Sequence, residues 1–376
     1  MVRFIHTADW QMGMKSLQAG PKAKEVRAKR YETAGRIVEL AKRENVDFVL
    51  IAGDLFEHHD VDELVVKRTL EVLDRFAPIP VFILPGNHDP LVAGGVWSRQ
   101  SWKRAGNHVR LMDKAMEISF QEGIALYPSP LTHKQGSADP TAWIPVRLPG
   151  DKRIRIGFAH GSLDILPEKG NFPIDSNRAI EKGLDYLALG DWHSFREHGK
   201  SVYSGTMEQT EFGEDNPGFV GLVEIDKAGA KPVISKHRTG LLRWMELHPD
   251  VKDETDVKKL EADIKQGGPL SNAMLRIGPR LFPESTMGAL QDMEILRRQL
   301  LEDTFFLDWV EPPPTLAGLG PATLPGGILT NIDGDLAAII DGRIPDGPGR
   351  ILASEDKSVI EEARSLLHKF AGGGGT

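Results

Sequence analysis

Val46-Asp47-Phe48-Val49-Leu50-Ile51-Ala52-Gly53-Asp54-Leu55-Phe56 sets an apolar run, rich in β-branched and aromatic residues, against an abrupt Gly-Asp pair. A short run of this kind, bounded by a turn signal, reads as a buried strand. Glycine lets the chain turn tightly there, which leaves the short carboxylate of Asp54 at the strand's end. The pattern returns at Ile79-Pro80-Val81-Phe82-Ile83-Leu84, closed by Pro85-Gly86-Asn87. Between the two runs, Val61, Leu64, Val65, Leu70, Leu73 and Phe76 recur near helical spacing, so a helix is expected over 61–76. Another is expected from about Lys22 to Glu44. Strand, helix, strand, helix, strand is the signature of a βαβ core. Open α/β sheets gather ligands at the carboxyl ends of their strands.

Further strands are expected at 115–120, 123–127, 152–158, 184–189, 201–204, 219–226 and 231–237. Together they suggest two packed sheets with helices outside, ending near residue 240. Residues 241–311 read as a separate small α/β unit, with strands at 244–247, 273–277 and 304–310 and helices at 253–266 and 284–302. Pro312-Pro313-Pro314 ends regular structure, and 312–350 is dense in proline and glycine. Short helices are expected around Leu336–Ile340 and from Ser354 to Phe370, so 312–376 reads as a linker and helical tail. The terminal Gly-Gly-Gly-Gly-Thr is expected to be disordered. No internal repeat is evident.

Composition is that of an ordinary globular protein: 376 residues, 40% hydrophobic and 27% charged. Cysteine is absent, which excludes disulfides and thiolate metal sites and fits a reducing compartment. Neither a signal peptide nor an apolar run near the roughly 20 residues of a bilayer span is visible, so a cytoplasmic protein with no membrane partner is expected. The net charge of −8 is uneven. Residues 1–240 carry 32 basic and 32 acidic groups, and 241–376 carry 14 and 22. Charge alone neither advertises nor forbids a nucleic-acid partner.

Five short segments place carboxylate, imidazole or amide groups behind apolar runs. They are His6-Thr7-Ala8-Asp9-Trp10-Gln11, Gly53-Asp54-Leu55-Phe56, Gly86-Asn87-His88-Asp89, Ala159-His160-Gly161 and Gly190-Asp191-Trp192-His193. Their side chains are oxygen and nitrogen ligands for hard or borderline divalent metals, with no sulfur among them. Taken singly, Asp9, Asp54 or His193 reads as a cap or turn residue; the conjunction points to a metal centre. His6, His58, His59, His108, His133, His198, His237 and His248 read as structural or surface residues.

In order and spacing these segments resemble the calcineurin-like metallophosphoesterases, which hydrolyse phosphate esters with two metal ions. The resemblance implies a four-layered α/β/β/α sandwich with a small α/β capping domain. It also implies roles. Asp54 would bridge the ions, Asp9, Gln11 and His193 would serve one, and Asn87, His160 and Asp191 the other. His88 would contact the phosphate and protonate the departing oxygen, with Asp89 orienting its imidazole.

Within the family, His6-Thr7-Ala8-Asp9-Trp10-Gln11-Met12-Gly13, Gly53-Asp54-Leu55-Phe56 and Tyr203–Glu214 look like the SbcD-type DNA repair nucleases. That branch implies manganese (magnesium being the alternative), exo- or endonucleolytic cleavage of DNA, a homodimer, and an SMC-like ATPase partner of the SbcC kind. Three positions depart from the pattern: Gln11 and Asp191 stand where histidine ligands are usual, and Glu57 where these nucleases carry a histidine near the DNA strand. These changes favour hard ions or weaken one site.

Lys15, Lys22, Lys24, Arg27, Lys29 and Arg30 follow the first motif with only Glu25 opposing them, a stripe that could grip backbone phosphates. It reads equally as a solvated helix face. Trp97, Trp102, Lys103 and Arg104 mix aromatic and basic groups able to stack a base, although tryptophans so placed are more often core anchors. Val359, Ile360, Ala363, Leu366, Leu367 and Phe370 fall on one helical face, for a partner or for the chain itself. Two other functions remain open from sequence: a phosphodiesterase or phosphatase for small nucleotides or phosphoproteins, and a DNA-end adaptor with weakened catalysis.

Overall fold

Alternation along the strands builds the layers. In the computed structural model, the first unit runs β1 (Val2–Thr7), α1 (Ala23–Arg43), β2 (Phe48–Ile51), α2 (Glu63–Asp74), β3 (Val81–Ile83) and β4 (Val109–Leu111). Phe48 and Leu50 of β2 point one way and Val49 and Ile51 the other, as a period of two requires. Both faces are buried, because Val49 and Ile51 meet α1 and α2 while Phe48 and Leu50 meet a second sheet. Such strands read as continuous apolar runs, which is why the sequence displays them so clearly.

That second sheet uses β5 (Ile118–Gln121), β6 (Ile124–Ser129), β7 (Ile154–His160), β8 (Tyr186–Gly190), β9 (Arg196–His198) and β10 (Ser201–Tyr203), with the short helix α3 (Arg178–Glu181) between β7 and β8. Strands β11 (Phe219–Ile225) and β12 (Val233–Arg238) return to the first sheet. Its order is β12-β11-β1-β2-β3-β4, and that of the second is β5-β6-β7-β8-β10-β9. The inner run of each is parallel: β1 to β4 in one, and β6, β7, β8 and β10 in the other. Phe4, Phe48 and Phe82 from the first sheet pack with Leu126, Phe158 and Tyr186 from the second. Phe4 stacks on Phe48 with centroids 4.9 Å apart.

The arrangement is the expected α/β sandwich. Its fourth layer is thin. Over the outer face of the second sheet, Ile144, Leu163, Ile174 and Leu184 from connecting segments do most of the covering, with Ala179 of α3.

The structure describes residues 1–166, 170–282, 285–310, 328–345, 352 and 356–372. The chain divides into two compact units, Met1–Trp244 and Met245–Thr376. Around and beyond that division lie β13 (Arg243–Leu247), β14 (Asp250–Val251), α4 (Glu254–Gln266), β15 (Ala273–Ile277), β16 (Arg280–Leu281), α5 (Met287–Asp303) and β17 (Phe306–Trp309). A three-stranded sheet in the order β13-β15-β17 packs on α4 and α5, and β14 pairs with β16. Asp253 caps α4 reciprocally with Asp256.

Two further helices follow, α6 (Ile328–Ile340) and α7 (Lys357–Gly372). Arg364 of α7 makes a two-pronged ion pair with Asp333 of α6 at 2.6 and 3.2 Å. Ile360 is buried while Val359 and Leu366 stay exposed, so the apolar face of α7 is only partly covered. The expected Pro/Gly-rich stretch lies mostly outside the described residues, as do 373–376. Among the described residues, no helix is long and apolar enough to cross a membrane.

Candidate metal centre

Each of the five segments begins where a parallel strand stops. Asp9 and Gln11 follow β1, Asp54 follows β2, Asn87 and His88 follow β3, His160 ends β7, and Asp191 and His193 follow β8. Both sheets therefore feed one point, and the backbone is bent to do it. Eight non-glycine residues among those described have φ in the left-handed region. Four of them are Asp9 (52°), Gln11 (45°), Asp54 (50°) and Asp191 (102°). Each such residue costs about 1–3 kcal/mol and persists only where its surroundings over-determine it.

Glycines allow the close approach. A Cβ at Gly53 would run into the ring of His160, and one at Gly86 into the carboxylate and backbone nitrogen of Asp54.

His160 is fully buried. Its Nδ1 lies 2.9 Å from the Ala52 carbonyl, which turns Nε2 toward three oxygens: Asn87 Oδ1 at 2.7 Å, Asp54 Oδ2 at 3.3 Å and Asp191 Oδ1 at 3.9 Å. Donor atoms of Asp9, Asp54 and His160 lie within 4.8 Å of one another. The Asp191 amide donates to both oxygens of Asp9, at 3.2 and 3.3 Å. Gln11 Nε2 and His193 Nε2 are 3.1 Å apart, and Gln11 Oε1 is buried with no hydrogen-bond partner. A buried amide oxygen with no partner is one that a hard cation would satisfy. The donor set fits divalent metal, and Gln11 fits as an oxygen ligand.

Burial disfavours ionised carboxylates, and it pushes Asp9 up to about 7 against the pull of His160 and His193. Burial alone would lower His193, but the Glu214 hydrogen bond and the Asp9 charge outweigh it and hold the imidazole at about 9. A metal must displace these protons. Affinity is therefore expected to rise with pH. Below pH 7 the protons of both Asp9 and His193 compete, and from 7 to 9 that of His193 still does, joined by the proton of His160, whose neighbouring carboxylates hold it upward, so the gain should be about tenfold per unit or more. Calorimetric titration with manganese in buffers of different ionisation enthalpy reads both affinity and proton release. A flat affinity from pH 6 to 8 would contradict the assignment.

Sequence reasoning missed Glu214. Its Oε1 lies 2.6 Å from His193 Nδ1, and its other oxygen accepts from Thr210 N at 2.9 Å, which fixes which ring nitrogen faces the centre. Glu214→Gln is expected to weaken manganese binding about 10–100-fold while leaving the fold intact. Metal titration alongside thermal unfolding checks this, and unchanged affinity would refute it.

Glu214 closes a strap over residues 206–214. Thr206 Oγ1 donates to the Asp9 carbonyl at 2.9 Å. Glu208, fully buried, accepts from the amides of Leu241 at 2.7 Å and Leu242 at 3.0 Å, and Gln209 Oε1 accepts from Trp244 N at 3.3 Å. Phe212 meets the Trp244 ring edge-on with centroids 4.9 Å apart.

His88 is half-buried, with Nδ1 2.8 Å from the Glu57 carbonyl. Asp89 does not orient it. Its carboxylate accepts from Gly86 N at 2.7 Å and Phe56 N at 3.0 Å, because it is buried beneath two turns whose amides need an acceptor. Asp89 fixes the turns, and the Glu57 carbonyl fixes the ring.

The basic stripe divides. Arg30 is buried and donates to the carbonyls of Trp10 at 3.0 Å and of Glu208 and Gln209 at 3.2 Å each, so it is a structural tie and not a DNA contact. Its spacing with Val26, Ala34 and Ile37 puts it on the core face of α1, a signal that was there to be read. Lys22 and Lys29 pair with Glu25 at 2.7 Å and Glu32 at 2.8 Å. Lys15, Lys24 and Arg27 line a groove of 870 Å³ together with Arg68. Trp97 and Trp102 are core anchors: they meet at 4.6 Å and pack on Phe56, too buried to stack a base.

A family model described as calcineurin-like phosphoesterase matches residues 2–219. A Bacillus subtilis protein, named as an uncharacterized metallophosphoesterase YhaO, is 26% identical over 408 aligned residues, covering 97% of each chain. The DNA double-strand break repair protein Mre11 of Saccharolobus solfataricus is 22% identical over 201 residues, covering 52% of this chain and 50% of its own.

Proposed function

The chain belongs to the calcineurin-like phosphoesterase family, and on that premise we propose that it is a two-metal phosphodiester hydrolase acting on DNA. The convergence of Asp9, Asp54, Asn87, His160, Asp191 and His193 at the ends of strands from both sheets carries the reading. Asp9, Gln11, Asp54 and His193 would hold one ion, and Asp54, Asn87, His160 and Asp191 the other. Bound ions of this kind lower the pKa of water and neutralise developing oxyanion charge.

The chain's own residues supply the rest. With Nδ1 committed to the Glu57 carbonyl, His88 Nε2 is the atom available to the adjoining pocket, where it donates a proton to the departing oxygen. Asp89 holds the turn that carries Asn87 and His88.

Two observations favour DNA over a small ester. The groove bearing Lys15, Lys24, Arg27 and Arg68 shares His58 with the pocket at His88, so a basic surface adjoins the site. The likeness to Mre11 points the same way. The SbcD-like motifs extend the reading to manganese as the native ion, a second copy of the chain and an SMC-like ATPase as partners.

Manganese-dependent degradation of linear DNA, stopped by chelation, is the expected result. Hydrolysis of an aryl phosphodiester with DNA left intact would overturn the DNA assignment.

A further inference from the structure

The pocket beside His88 has a volume of 690 Å³ and is walled by loops of both sheets. Glu57, His58 and His88 come from the first, and Lys134, Gln135 and Asn171 from the second. Among the described residues no Phe, Tyr or Trp lines it, so a nucleobase finds no ring to stack on. Apart from imidazoles, its charged side chains are Glu57 and Lys134. Glu57 sits next to the proton donor, since its carbonyl holds His88 Nδ1. A carboxylate there can accept from a sugar hydroxyl. Lys134 is exposed and has no ion-pair partner among the described residues.

The loop that carries Lys134 is fastened to the metal centre. Asn171 grips it twice: Nδ2 donates to the Lys134 carbonyl at 2.5 Å and Oδ1 accepts from Gly136 N at 2.8 Å. Phe172 N donates to the Gly136 carbonyl at 2.9 Å. The Asn171 carbonyl in turn accepts from Ser162 N at 3.2 Å, two residues beyond His160. The backbone that carries Lys134 is thus fixed at the pocket wall, and only its side chain has to be ordered on binding.

We propose that Lys134 binds the phosphate adjacent to the one being cleaved, on the leaving-group side marked by His88, so that the pocket selects a strand of successive phosphates over an isolated diester. The inference rests on the hydrolase reading above and adds a specificity-determining residue to it.

The test compares thymidine dinucleotides with no terminal phosphate, with a 5′-phosphate and with a 3′-phosphate, in manganese. One phosphorylated form should be cleaved about tenfold better in kcat/KM than the bare dinucleotide, the scale of one charge-assisted hydrogen bond. In Lys134→Gln that preference should fall to near one. A preference unaltered by the substitution, or no preference at all, overturns the proposal. In parallel, His88→Ala and the double variant His88→Ala/Lys134→Gln are titrated with a fluorescent oligothymidylate. Loss of the lysine should weaken binding several-fold and lower the salt slope by about 0.7. This arm does not depend on turnover. If no diester is hydrolysed yet the binding difference appears, the hydrolase reading falls and the phosphate contact stands; equal binding by the two variants overturns the contact.

Discussion

Asp54→Asn is expected to lower phosphodiester hydrolysis by about 10³-fold or more, since on the proposed reading Asp54 would bridge two ions that supply several kcal/mol of charge stabilisation. Its oxygens serve both halves of the site: Oδ1 accepts from His88 N at 3.0 Å, and Oδ2 lies 3.3 Å from His160 Nε2. The buried histidine and the neighbouring dipoles overcome burial and keep this carboxyl below its ordinary range, so it is charged at neutral pH. An amide oxygen could still accept from His88 N, which makes the substitution a test of charge and not of packing. Manganese titration should show fewer than two ions per chain, with the unfolding temperature little changed. Full turnover with two bound ions would remove Asp54 from the bridge.

His88→Ala should spare metal binding and lower kcat by about 10²–10⁴-fold, the usual contribution of a positioned general acid. The effect should depend on the leaving group. An alkoxide leaving from a sugar needs the proton, whereas a nitrophenolate departs without it, so the loss should be smaller with a nitrophenyl diester. Equal losses on both substrates would give His88 an electrostatic role in place of proton donation. Loss of manganese together with activity would make it a ligand.

These experiments target residues that the sequence displayed because of how the core is built. Strands such as β2 and β7, covered on both faces, must be apolar throughout, and the polar residue that ends each one stands out. β9, whose three residues are all exposed, and β4, half-exposed at a sheet edge, carry no such signal. Helix α1 is legible as a helix, but the charge of Arg30 points to solvent while its register places it inward. Glu214 and Asn171 act through partners 21 and 35 residues away. No spacing rule connects such pairs. Asp89 illustrates the opposite error: adjacency to His88 suggested a partnership, yet the turn points its carboxylate at Gly86 and Phe56.

The strap over 206–214 has a practical consequence for anyone isolating the first unit. A truncation after Arg238 would strip Glu208 of the Leu241 and Leu242 amides and Gln209 of Trp244, leaving the buried Glu208 carboxyl only the Thr33 hydroxyl of its hydrogen-bond donors among the described residues, in the segment that also braces Asp9 and His193. Such a fragment should come out of purification metal-poor, and the cut should instead be made beyond Trp244.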